Sequence, residues 1–161
     1  MNYFISKNDI ELNWQDVLWG YGHHFLGWRD VVNYANRKVI EEFNYDESVI
    51  ELSMIDKTTA YKIERLLKNI VKEDSFYNTE KWLYIVLLDL FNERDKLDDP
   101  LGKVEEIYED FDYPEEIECF VRYMPSTDDY DPNKHTYEEN INRLYLNWEN
   151  YLISKKEKFI Y

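Results

Sequence analysis

The chain has 161 residues, with 34 acidic against 19 basic side chains and a formal net charge of −15. That balance argues against direct binding of a nucleic-acid backbone, because phosphates call for clustered Lys and Arg. The 44 % hydrophobic content removes disorder as the origin of the charge, and a chain of this length buries roughly 70 % of its unfolded surface. We therefore expect one acidic helical domain over residues 1–161.

The first residues carry Tyr3, Phe4, Ile5, Ile10 and Leu12, a short helix or an extended packing arm. They lack the basic and then apolar regions of a signal peptide. Asn13 with Asp16 reads as an N-cap and its partner, opening a helix to about Trp19. Gly20 and Gly22 are expected to end it, with His23 and His24 in the turn that follows. Adjacent histidines in a turn make a poor metal site, since neighbours do not converge on one ion.

A helix is expected from Gly27 to about Phe43, with Val31, Tyr34, Ala35 and Val39 on one face. A shorter one follows over about Glu47 to Met54. Asp56 reads as the cap of a further helix whose stripe is Ala60, Ile63, Leu66, Leu67, Ile70 and Val71. Lys62, Arg65, Lys68 and Lys72 make it the most basic one. Asn78 or Thr79 should open the next, to about Glu93. Its centre, WLYIVLLDLF, is apolar almost all round, as in a helix buried on several sides. Asp89 within it must pair or reach the surface.

The densest information lies in Asp98 to Pro125. Asp98 or Asp99 can cap a helix that Pro100 opens, and Val104, Ile107, Tyr108 and Phe111 form its stripe. A second helix is expected from about Pro114, with Ile117, Phe120 and Val121 inward and Cys119 as a small buried hydrophobe. Around this corner stand Glu105, Glu106, Glu109, Asp110, Asp112, Glu115, Glu116 and Glu118. Like charges at i, i+4, as in Glu105/Glu109 and Glu106/Asp110, cost roughly 0.2–0.5 kcal/mol each. A sequence shaped for stability alone would more often place Lys or Arg there. Arg122, the only basic residue between Lys103 and Lys134, should pair with a carboxylate.

Residues 124–135 have turn composition, an exposed acidic loop around Tyr130. Asp129 and Asp131 lack the Gly and Glu that complete a calcium loop. Thr136 and Glu139 form a capping box for the last helix, with Ile141, Leu144, Tyr145, Trp148, Tyr151 and Leu152 as its stripe. The tail SKKEKFIY reads as frayed, or packed only through Phe159 and Ile160.

The expected fold class is all-α: a compact irregular bundle of about seven or eight helices around the apolar helix near residues 79–93. The lone cysteine fits a reducing, cytoplasmic setting. No apolar run reaches the ~18 residues of a membrane span. No nucleophile elbow, Walker loop, zinc motif or Glu-x-x-His pair is present, so neither enzyme activity nor a metal or other cofactor is expected. Clustered carboxylates serving a Mg-dependent hydrolase are the best enzymatic alternative, and a general helical adaptor or scaffold is the non-enzymatic one.

The runs WQDVLWGY, LGWRDVVNYA, DPLGKVEEIYEDFDYPEEIECFVRYMP and NINRLYLNWENYL resemble a bacterial family, domain of unknown function 2247, over nearly the whole chain. The resemblance implies a cytoplasmic protein often associated with polymorphic-toxin loci, as an immunity protein. It brings no catalytic residues. The residues themselves point to a non-enzymatic acidic surface that takes a basic protein partner, and the resemblance implies that this partner is a cognate toxin domain. Its expected contacts are Glu105, Glu106, Glu109, Asp110, Asp112, Tyr113, Glu115, Glu116, Tyr123, Asp128, Asp129 and Tyr130, the tyrosines serving as amphipathic anchors.

Overall fold

The computed structural model describes residues 10–41, 46–71 and 77–159. Among them lie seven α-helices, several short 3-10 turns and no strand, so the fold class is all-α as expected. The chain forms two compact units, Met1–Asn78 and Thr79–Tyr161. The expected roles of Tyr3, Phe4, Ile5, Phe43, Lys72 and Ile160 lie outside the described residues.

In the first unit, α1 (Trp14–Gly22) starts with the anticipated capping box. The Asn13 side chain accepts from the Asp16 N–H at 2.7 Å, and the Asp16 carboxylate accepts from the Asn13 N–H at 3.1 Å. Asp16 is fully buried and also accepts from the Asn78 N–H, which ties the end of the unit to its start. The helix does not stop at Gly20. Both glycines are helical, and the left-handed residue that ends it is His24, at φ 62°. The Gly20 carbonyl accepts from Phe25 and Leu26 as the chain turns.

Helix α2 (Trp28–Glu41) buries Val31, Tyr34 and Ala35. The Tyr34 hydroxyl donates to the Leu12 carbonyl at 2.6 Å, holding against it a segment whose Ile10 and Leu12 are buried. Helix α3 (Glu47–Ser53) is capped by Asp46. Asp56 caps a turn through Thr58 and Thr59 rather than the helix itself. A 3-10 turn, Ala60–Lys62, leads into α4 (Ile63–Ile70), which buries Ile63, Leu66 and Leu67. Helices α2, α3, α4 and α1 pack in that order. The cations of α4 and of the turn before it find partners within this unit: Lys62 and Arg65 with Glu51, and Lys68 with Glu64.

The second unit is built on α5 (Thr79–Glu93). Six consecutive residues, Trp82 to Leu87, are buried, so neighbours cover it on more than one side. Helices α6 (Pro100–Asp110) and α7 (Tyr137–Phe159) supply that cover. Asp89 is half-buried, and burial pushes its carboxyl up. The α7 capping box is present: Glu139 accepts from the Thr136 N–H at 2.7 Å, and Thr136 Oγ1 accepts from the Glu139 N–H at 3.2 Å. Trp148, Tyr151 and Leu152 are buried, whereas Ile141, Leu144 and Tyr145 are only partly so.

Of the two readings of the tail, packing through Phe159 holds and fraying does not: α7 runs to Phe159, whose ring packs on Tyr84, and Lys155 and Lys158 both hold Glu80 in addition. Two expectations fail at the corner. The second corner helix is a 3-10 helix, Glu115–Phe120, not an α-helix. Its repeat of three places Ile117 and Phe120 together in the core, each with no exposure. Cys119 is thereby turned outward and is exposed rather than buried.

Candidate functional site

The acidic corner joins α6 to the 3-10 helix, and its geometry follows from how α6 ends. Asp112 and Tyr113 are both left-handed, at φ 61° and 59°. The Tyr113 N–H donates to the Tyr108 carbonyl at 2.8 Å, and the Asp112 N–H to the Glu109 carbonyl at 3.0 Å. This is a Schellman ending, with Asp112 where glycine is commonest. Its usual apolar contact is present too: the Tyr113 ring meets the Tyr108 ring edge-on, centroids 5.2 Å apart.

Tyr108 is the buried pivot. Its hydroxyl donates to Glu118 at 2.9 Å, and burial, reinforced by that carboxylate, pushes it up to about 12. Tyr123 flanks the pair at 6.2 Å from Tyr108. Tyr113 and Tyr123 are each more than half exposed, 54 % and 55 %. Burial raises the Tyr123 hydroxyl as well, with Glu109 adding to it, which places that carboxylate's charge at the aromatic cluster.

Besides the exposed Tyr113 and Tyr123, the other ten expected contact residues divide into two groups. One is engaged internally. Glu105 shares the Arg122 guanidinium with Asp99: Nε to Glu105 is 2.7 Å, and Nη1 and Nη2 to Asp99 are 3.0 Å each. These two carboxylates hold Arg122 well above its ordinary value, Glu105 first. Glu106 pairs with Lys103, Glu116 with Lys155 and Asp128 with Arg143. Tyr130 is not the exposed centre of a loop. Its ring lies between Arg143 and His135, and its hydroxyl donates to Asn140, because the segment folds back onto α7.

The other group is free. Glu109, Asp110, Asp112, Glu115 and Asp129 are exposed, with no ion pair or side-chain hydrogen bond among the described residues. The first four surround the turn that presents Tyr113. No group of three or more His, Cys, Asp or Glu among the described residues is arranged to hold a metal ion.

Sequence reasoning anticipated the pairing of Arg122 but not the clamp, in which Asp99 both caps α6 through the Gly102 N–H and binds Arg122. The available signal was Gly102. A Cβ there would overlap the Asp99 carboxylate and lie 3.2 Å from Arg122 Nη2. It also missed the Glu118–Tyr108 bond, which the ten-residue separation across a turn conceals.

No helix among the described residues is long and apolar enough to cross a membrane. No curated protein and no solved structure matches the chain. The family model described as an uncharacterized protein conserved in bacteria (DUF2247) matches residues 3–157, nearly the full length, and the chain belongs to that bacterial family.

Proposed function

We propose that the protein is a non-enzymatic binding module whose acidic corner takes a basic protein partner, and that it serves as an immunity protein, neutralising a basic toxin domain by occlusion. The observation that carries this reading is the free group of carboxylates, Glu109, Asp110, Asp112 and Glu115, set around the half-exposed Tyr113 and Tyr123. Rigid aromatic rings anchor an interface at low entropic cost, and surrounding charge of one sign selects and steers a partner of the other. Occlusion needs no chemistry. If the partner cleaves nucleic acid, the carboxylates stand where substrate phosphates would lie.

The decisive variant follows from which carboxylates are free. Reversing Glu105 or Glu116 would break the Arg122 clamp or the Lys155 pair and so confound folding with binding. The test is Glu109→Lys/Asp110→Lys/Asp112→Lys/Glu115→Lys, against a control with the same charge change elsewhere in the unit, Asp95→Lys/Glu138→Lys/Glu149→Lys/Glu157→Lys. Tagged protein is used to capture partners from host lysate at low and high salt. A basic protein retained by wild type and by the control, and lost by the corner variant at unchanged helicity, is the expected result. Equal retention by both variants would refute the corner as the contact surface. Co-expression with the captured protein then reads protection from growth arrest.

A further inference from the structure

A groove of about 350 Å³ lies within the second unit, between the segment from Glu118 to Pro132 and one face of α7. Apolar wall comes from Met124, Pro125, Tyr137, Ile141 and Leu144, with Cys119 at its side. The volume is that of a small binding cleft, enough for one or two aliphatic side chains.

Its electrostatics select among occupants. The two arginines that line it are spoken for: Arg122 by two carboxylates, Asp99 and Glu105, and Arg143 by Asp128 and the Tyr130 face. Arg122 with its two partners leaves one negative charge, Arg143 with Asp128 leaves none, and among the described residues Glu118 has only the neutral Tyr108 hydroxyl as partner. Asp129 beside the groove is free. An anionic ligand would meet no available cation and an excess of carboxylate. The walls ask for an apolar group, and the rim asks for positive charge beside it.

We infer that this groove seats an apolar side chain of a basic peptide segment, with flanking Lys or Arg of that segment on the acidic rim. The inference rests on the partner-binding reading above and names the part of the partner that the exposed corner does not itself explain. The groove supplies the buried anchor, and the corner supplies steering.

Cys119 gives the assay, because it is the only cysteine in the chain, is exposed and lines the groove. The probe is acetyl-Lys-Lys-Leu-Leu-Lys-Lys-amide, and the readout is the rate of Cys119 alkylation by iodoacetamide in the folded protein. The peptide should slow alkylation about tenfold at ten times its Kd. Peptides with Ser for Leu, or Glu for Lys, should leave the rate unchanged. Tyr137→Ser, at a wall residue that is 79 % exposed and so safe for folding, should weaken the protection. Absence of protection by the Lys-Leu peptide, or equal protection by the Glu-Leu peptide, would overturn the inference. Lost protection with partner capture intact removes the groove alone. Peptide protection with equal partner capture by the corner variant and its control removes only the reading of the corner.

Discussion

Gly102 and Asp112 are where single residues decide how the corner is built. Glycine inside a helix ordinarily costs about 1 kcal/mol against alanine, so Gly102→Ala would normally stabilise α6. Here a Cβ would sit 2.9 Å from Asp99 Cγ, and the Asp99 carboxylate is fixed by the Gly102 N–H and by Arg122. We expect Gly102→Ala to lower the urea midpoint, a net loss of about 1 kcal/mol, since the cap and the clamp fail together. Asp112 is the opposite case. A left-handed Asp is tolerated at a cost that glycine does not pay, so Asp112→Gly should raise the midpoint, a net gain of about 1 kcal/mol, with helicity unchanged. The pairing of Arg122 was legible because it is isolated among acids. The left-handed turn was not, because Asp and Tyr carry no strong signal for it, whereas a glycine at 112 would have announced the Schellman ending.

At the scale of elements, the caps were legible except at Asp56, and helical pitch was not. Asn13/Asp16, Asp99 and Thr136/Glu139 each start a helix where side-chain chemistry placed it. The run PEEIECF fits repeats of 3.6 and of 3.0 almost equally over six residues, so the choice falls to packing, and Cys119 changes sides with it. That register makes a sharp prediction. Ile117→Ala should cost about 2–5 kcal/mol in chemical denaturation, while Cys119→Ser should stay within about 0.5 kcal/mol. The hold of the tail lysines was not legible, because nothing in the run SKKEKFIY names a partner, yet Lys155 joins Glu80 of α5 to Glu116 of the 3-10 helix. Hydrogen bonds from Lys155 first, then Lys158, hold the Glu80 carboxyl below its ordinary 4.5. The contribution of that depressed carboxyl is therefore complete above 4.5 and is lost as pH falls through the lower folded value. Urea midpoints followed on acidification below 4.5 should fall more steeply for wild type than for Lys155→Met.

Across the whole molecule, the helical periodicity and the scarcity of turn residues made the all-α class legible, and the long apolar run identified α5 as the helix on which the second unit is built. The charge is shared unevenly, 13 acidic against 9 basic side chains up to Asn78 and 21 against 10 from Thr79, but no Gly or Pro between Val71 and Thr79 marks the division into two compact units. Nor does a net charge of −15 say which carboxylates are free. Salt bridges consume many of them, and only the structure separates Glu105, held by Arg122, from Glu109, which has no ion pair among the described residues. If that free set steers a basic partner, the effect must appear in the association rate, and salt must screen it. The most direct measurement is stopped-flow association of the captured partner at low ionic strength and at about 0.5 M salt. It would compare wild type, the four-residue corner reversal and the charge-matched control. The account predicts a wild-type rate that falls at least about tenfold with salt. The control should associate at close to that rate, and the corner variant should be slow at both salt concentrations. Equal rates and equal salt dependence for the two variants would contradict it, assigning the acidity to the surface as a whole and not to this corner.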